Sequence, residues 1–158
     1  MNEKIVVPLD GSSIGESALP YIKDLISKIS PNIEVEIILL QVLSHISIRA
    51  TYGSVGVIHQ TESLEEQIEV HKKATLEYLT ETGEGLKDQG VLITAKVVVG
   101  NVAEEIVKVA EESNANLIAM STHGRSGIRR WALGSVADKV LRMGSRIPIV
   151  MIKASKSG

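Results

Sequence analysis

Short apolar runs alternate with segments whose apolar residues recur at helical spacing, and this alternation constrains the fold more than any single residue does. Lys4-Ile-Val-Val-Pro-Leu9, Glu34 to Val42, Leu92 to Val99, Leu117 to Ser121 and Ile147 to Ile152 read as strands. Ala18, Ile22, Leu25, Ile26 and Ile29 mark a first helix, and Ser63 toward Gln89 a second, with Gly83 and Gly85 loosening its last turns. Val102 to Ser113 and Ser135 to Met143 follow as the third and fourth. Runs such as Val97-Val-Val99, apolar at successive positions, ask for cover on both faces of a sheet. Strands that alternate with helices in this way pair in parallel through right-handed crossovers. The expected class is α/β: a five-stranded parallel sheet with helices on both faces, Rossmann-like.

Helix starts carry their own signal. Ser13-x-x-Glu16, Ser63-x-x-Glu66, Asn101-x-x-Glu104 and Ser135-x-x-Asp138 each place a capping residue three before an acid. At 158 residues and 44% apolar, the chain suits one buried domain over 1–158, with a long connection from about 43 to 62 carrying Gly53 and Gly56. Cysteine is absent, which excludes disulfides, thiolate metal sites and a cysteine nucleophile. The N-terminal residues lack the pattern of a signal peptide, and no apolar run approaches membrane-spanning length. The expectation is a soluble cytoplasmic protein.

Charge is divided unevenly. Residues 1–120 carry 9 Lys/Arg against 18 Asp/Glu, a net of −9, whereas residues 121–158 carry 8 against 1, a net of +7. Such asymmetry points to an anionic partner for the basic segment, or to a balance against the acidic helices. Interleaving with Leu133, Val136, Val140, Leu141 and Ile147 to Ile152 argues for a folded segment and against a nucleic-acid arm.

Open parallel sheets bind ligands beyond the carboxyl ends of their strands. The residues there are Pro8, Leu9 and Asp10 after strand one, Val42 after strand two, Gly100 after strand three, and the loop that leaves Met120. Asp10 either accepts hydrogen bonds from a nucleobase amine or a ribose hydroxyl, or serves as turn chemistry in Asp-Gly-Ser-Ser. The loop holds Ser121, His123, Gly124, Arg125, Gly127 and Gly134-Ser135-Val136. Its glycines let main-chain N–H groups approach a ligand, and the helix start beyond them adds unpaired donors, a combination suited to phosphate. It is neither a Walker A loop nor a Gly-x-Gly-x-x-Gly fingerprint. Ser135 is open to two roles, a phosphate contact and the N-cap that pairs with Asp138. His123 has no partnering carboxylate at a legible spacing, and His45, His59 and His71 show no metal-ligand spacing. No catalytic residue is assigned.

Asp10 in Val-Pro-Leu-Asp-Gly-Ser, Gly100 closing strand three, and Ser-Thr-His-Gly followed by nine residues and Gly-Ser resemble the universal stress protein family from Ile5 to Ile152. The ATP-binding branch of that family carries Gly-x-x-Gly-x9-Gly-Ser/Thr. Gly124, Gly134 and Ser135 match it, and Ser121 replaces its first glycine. A serine there is tolerated if only smallness is needed and strained if the backbone must take positive φ.

The resemblance implies strand order 3-2-1-4-5 and adenine contacts from Asp10, Val42 and Met120. It also implies a triphosphate on the loop from Gly124 to Ser135, with Mg2+ or Mn2+ bridging phosphates. A homodimer through Ile147–Ile152 is implied as well, which would cover an apolar edge strand. The expected function is a stress-response regulator that binds ATP, with slow or no hydrolysis and no membrane or nucleic-acid partner. The alternative is a nucleotide-free dimeric or chaperone-like module. An adenine-nucleotide α-hydrolase is disfavoured, because its Ser-Gly-Gly-x-Asp-Ser loop is missing after strand one.

Overall fold

The computed structural model describes residues 2–28, 33–44, 63–87, 91–122 and 134–154. Strands β1 (Asn2–Pro8), β2 (Glu34–Leu43), β3 (Val91–Val99), β4 (Leu117–Thr122) and β5 (Ile149–Lys153) form one sheet in the order β3-β2-β1-β4-β5. All pairings are parallel, with Ile5 opposite Ile37 and Leu117, Leu39 opposite Ala95, and Met120 opposite Met151. Class and strand order are those expected.

Among the described residues five helices cover the sheet: α1 (Ser13–Glu16), α2 (Ala18–Ser27), α3 (Leu64–Glu84), α4 (Val102–Glu112) and α5 (Ser135–Arg142). The pleat sends alternate residues of each strand to opposite sides. Val6, Ile38, Leu40, Ile118 and Met120 meet Ile106, Val109, Ala137 and Val140 of α4 and α5. Ile5, Val7, Ile37, Leu39 and Ala119 meet Ala18, Ile22 and Leu79 of α2 and α3. Strand β3 differs from its reading. Its apolar run is only half-buried, with Leu92 exposed, because β3 lies at the sheet edge.

Local chemistry sets where helices start and stop. Ser63 and Glu66 form a reciprocal capping box at α3, Ser63 Oγ accepting from the Glu66 N–H at 3.2 Å and Glu66 Oε2 from the Ser63 N–H at 2.8 Å. The other three pairs behave differently. Ser12, not Ser13, caps α1; Asn101 caps α4 without a side-chain bond; and Gly134, not Ser135, is the N-cap of α5. Asp138 turns instead to Arg142, at 2.8 Å. The break at Ser17 between α1 and α2 follows from Pro20, which has no N–H for the Glu16 carbonyl and whose ring crowds it. Helix α4 stops where Asn114 takes φ 53°, with the Ala115 N–H on the Ala110 carbonyl and the Asn114 N–H on that of Glu111. In α3, Gly83 is a packing requirement: a Cβ there would lie 2.7 Å from Ile93 Cγ2.

Candidate functional site

From β1 the chain connects to β2 on one side, while β4 lies on the other, so the sheet reverses its order between β1 and β4. A cleft of about 260 Å³ opens at the carboxyl ends of those two strands. Pro8, Leu9 and Asp10 line it from β1, and Met120 and Ser121 from β4. Gly134, Ser135 and Val136 close it from the start of α5. These are eight of the residues anticipated.

Others fall elsewhere. Val42 packs against the core beneath α4, and Gly100 ties the strand ends together, its N–H donating to the Leu43 carbonyl at 3.0 Å. Neither reaches the cleft lining. A Cβ on Gly100 would come within 2.8 Å of Glu105 Cγ, so its small size already has an internal use. His123, Gly124, Arg125 and Gly127 lie outside the described residues, as do Arg129, Arg130, Trp131, His45, His59 and the connection from 45 to 62.

Ile14, Gly15, Val102, Ile106 and Ala137 also line the cleft, and the sequence reading missed them. The rule that ligands sit beyond strand ends stops at the loops. Extending it to the first turns of the following helices would have found Ile14, Val102 and Ala137.

Asp10 is exposed at the cleft, and its carboxylate is partly engaged. Oδ1 accepts from the Ser12 N–H at 3.0 Å and from the Ser12 hydroxyl at 2.5 Å; Ser12 Oγ in turn accepts from the Gly15 N–H at 3.0 Å. Turn chemistry and a cleft-facing carboxylate therefore coexist. Across the cleft, α5 presents the N–H groups of its first turn, which take no side-chain cap from Gly134, and the positive end of its dipole. The N-cap Gly134 has φ −57° and ψ 152°, which any residue adopts, and a Cβ there would meet nothing within 4 Å among the described residues.

Ser121 answers the question its position raised. It lies inside β4, paired with Ile152, and its φ is not positive. Serine is unstrained there, and its hydroxyl donates to the Gly15 carbonyl at 2.8 Å.

Behind α1, the Tyr78 hydroxyl donates to Glu16 Oε1 at 2.8 Å. Burial first, and then that bond to the carboxylate, hold the Tyr78 phenol well above its ordinary value. The unfolded chain ionises first, so the stabilisation is present below pH about 10 and is lost as pH rises beyond it. Denaturation midpoints should fall more steeply above pH about 10 in the natural protein than in Tyr78→Phe. Equal slopes would remove Tyr78 as the cause.

An open parallel α/β sheet with a ligand-sized cleft at its switch point defines the class as Rossmann-like. The chain matches the model of the universal stress protein family over residues 1–153 and belongs to that family. It is 31% identical to universal stress protein MJ0577 of Methanocaldococcus jannaschii, covering 99% of this chain and 98% of that one. The solved structure of MJ0577 superposes with a TM-score of 0.69 at 29% identity, over 98% of each chain. Two more distant structures share the fold. One, a universal stress protein in complex with cAMP, has a TM-score of 0.61 and 19% identity, over 97% of this chain and 98% of that one. The other, from Arabidopsis thaliana with AMP bound, has a TM-score of 0.60 and 17% identity, over 98% and 93%.

Proposed function

We propose that the protein is a stress-response regulator that binds an adenine nucleotide, ATP above all, in the cleft between β1 and β4. The observation that carries this reading is the pairing of the Asp10 carboxylate with the α5 N-terminus across one apolar-walled cleft. Each part fits one portion of the ligand. Leu9, Val102, Ile106, Met120 and Val136 offer apolar surface to a base, and Asp10 accepts from an amine or a hydroxyl. The N–H groups at Gly134 to Val136 suit phosphate. Family relatives that hold cAMP and AMP support the adenine part of the reading.

At about 260 Å³ the cleft suits a nucleoside better than a whole triphosphate. The phosphates then extend over the α5 N-terminus. Among the described residues no group of three or more His, Asp or Glu is placed to hold a metal, so Mg2+ or Mn2+ would be held chiefly by the phosphates. Among the described residues Asp10 is the one titratable side chain in the lining, and Ser12 already engages it, which favours binding and at most slow turnover. Among the described residues no helix is long and apolar enough to cross a membrane. The position of β5 at the sheet edge, unpaired on its outer side among the described residues, supports homodimerisation through Ile147–Ile152.

Nucleotide released from freshly purified, denatured protein and identified by mass spectrometry tests the reading. The stripped protein is then titrated with Mg-ATP, AMP and cAMP. Stoichiometric adenylate, or micromolar binding lost in Gly134→Val, is expected. A protein that carries no nucleotide and gives no heat with any of the three is the nucleotide-free module instead.

A further inference from the structure

Helix α1 forms one wall of the cleft through Ile14 and Gly15, yet it buries none of its residues. With Ile14, Gly15 and Glu16 only half-buried, hydrogen bonds help to decide where it sits. Most of them are local: Ser12 to Asp10, Gly15 to Ser12, and the Ser17 hydroxyl to the Ile14 carbonyl at 2.7 Å. Among the described residues two reach α1 from distant elements. Tyr78 of α3 holds Glu16 at the rear, and Ser121 of β4 holds the Gly15 carbonyl at the cleft side. Alternation along β4 turns Ser121 the same way as Ala119, toward α1 and α2, and leaves its Oγ 3.3 Å from Ser17 Oγ. Gly15 in turn backs the Asp10 carboxylate, since a Cβ on Gly15 would lie 2.6 Å from Asp10 Oδ1.

We infer that Ser121 is a positioning residue for selectivity: its hydroxyl, through the Gly15 carbonyl, fixes where the Asp10 carboxylate stands in the cleft. The inference rests on the adenine-nucleotide reading of that cleft. A glycine at position 121 has no hydroxyl to make this bond. The substitution therefore adds a strut between β4 and α1 and leaves the backbone unstrained. A carboxylate held in place discriminates among ligands by the donors they present, because a ligand lacking the matching amine or hydroxyl leaves the Asp10 carboxylate without that hydrogen bond. When the strut is removed, α1 and Asp10 move together, and that discrimination fades while apolar and phosphate contacts persist.

Calorimetric titration separates the two effects. The stripped protein, Ser121→Ala, Ser121→Thr and Gly15→Ala are each titrated with ATP, with 2′-deoxy-ATP, and with purine riboside triphosphate, which lacks the 6-amino group. Thermal unfolding of each variant confirms its folding. Ser121→Ala is expected to weaken ATP by about tenfold while changing the analogue that lacks the Asp10 partner by less than about twofold. Ser121→Thr should restore the preference, and Gly15→Ala, which displaces the carboxylate, should lose it with the Ser121 hydroxyl intact. In an Asp10→Asn background, Ser121→Ala should change nothing further, since both act through one group. Equal weakening of all three ligands, no weakening, or tighter binding in Ser121→Ala would overturn the inference and leave the nucleotide reading standing. Failure of the unaltered protein to bind any of the three would overturn both.

Discussion

Leu79→Ala is expected to destabilise the protein by about 2–5 kcal/mol, the largest loss available to a single residue of α3. That helix is 21 residues long, yet among them only Thr75, Leu79 and Gly83 are buried. Leu79 is fully buried and packs in the core that holds Ile22, Ile37 and Leu39. Gly83 has no side chain and Thr75 is polar, so Leu79 supplies most of the apolar anchoring within the helix. Against a total stability of about 5–15 kcal/mol, its loss is a large fraction. The urea midpoint should fall, with the dependence on denaturant unchanged. Amide exchange should quicken in α3 and stay slow in α4, which buries Ala103, Ile106, Val107, Val109 and Ala110. A loss below about 1 kcal/mol would mean that α3 docks by other contacts.

Gly134→Asp should leave the fold intact and strongly weaken ATP binding. At an N-cap, aspartate is at least as good as glycine, by a few tenths of a kcal/mol. The backbone at Gly134 suits any residue, and a Cβ meets nothing described. The thermal midpoint should therefore hold or rise slightly. For a phosphate at the α5 N-terminus the change is adverse, because two like charges about 4 Å apart repel by about 4 kcal/mol at an effective dielectric near 20. A loss of ATP affinity of at least about 100-fold is expected, and AMP should lose less because it carries less charge. Retained affinity would remove the phosphates from this helix end.

The parallel sheet agrees with expectation because its signals are local, whereas the strand order β3-β2-β1-β4-β5 was implied by the family resemblance. Apolar runs, helical spacing and the Ser63 capping box are each contained within a few turns of chain. Caps on adjacent candidates were less legible. Ser12 and Ser13 have equal capping chemistry, as do Gly134 and Ser135 in different ways, and the choice depends on where the chain leaves the strand. The candidate site was legible as strand ends, and Asp10, Met120 and Ser121 do line one cleft. It was not legible as a boundary. Val42 lies in β2, on the far side of β1 from β4, and Gly100 follows β3 at the sheet edge.

Sequence alone thus determined the layering of the protein, since hydrophobic period and turn chemistry act over a few residues. Tertiary structure alone decided what Ser121 does. From its neighbours it was a departure from a glycine pattern; from its pairing with Ile152 and its bond to Gly15, 106 positions away, it is an unstrained strut. A hydroxyl takes whatever partner the fold brings within about 3 Å, and no local rule of the chain names that partner.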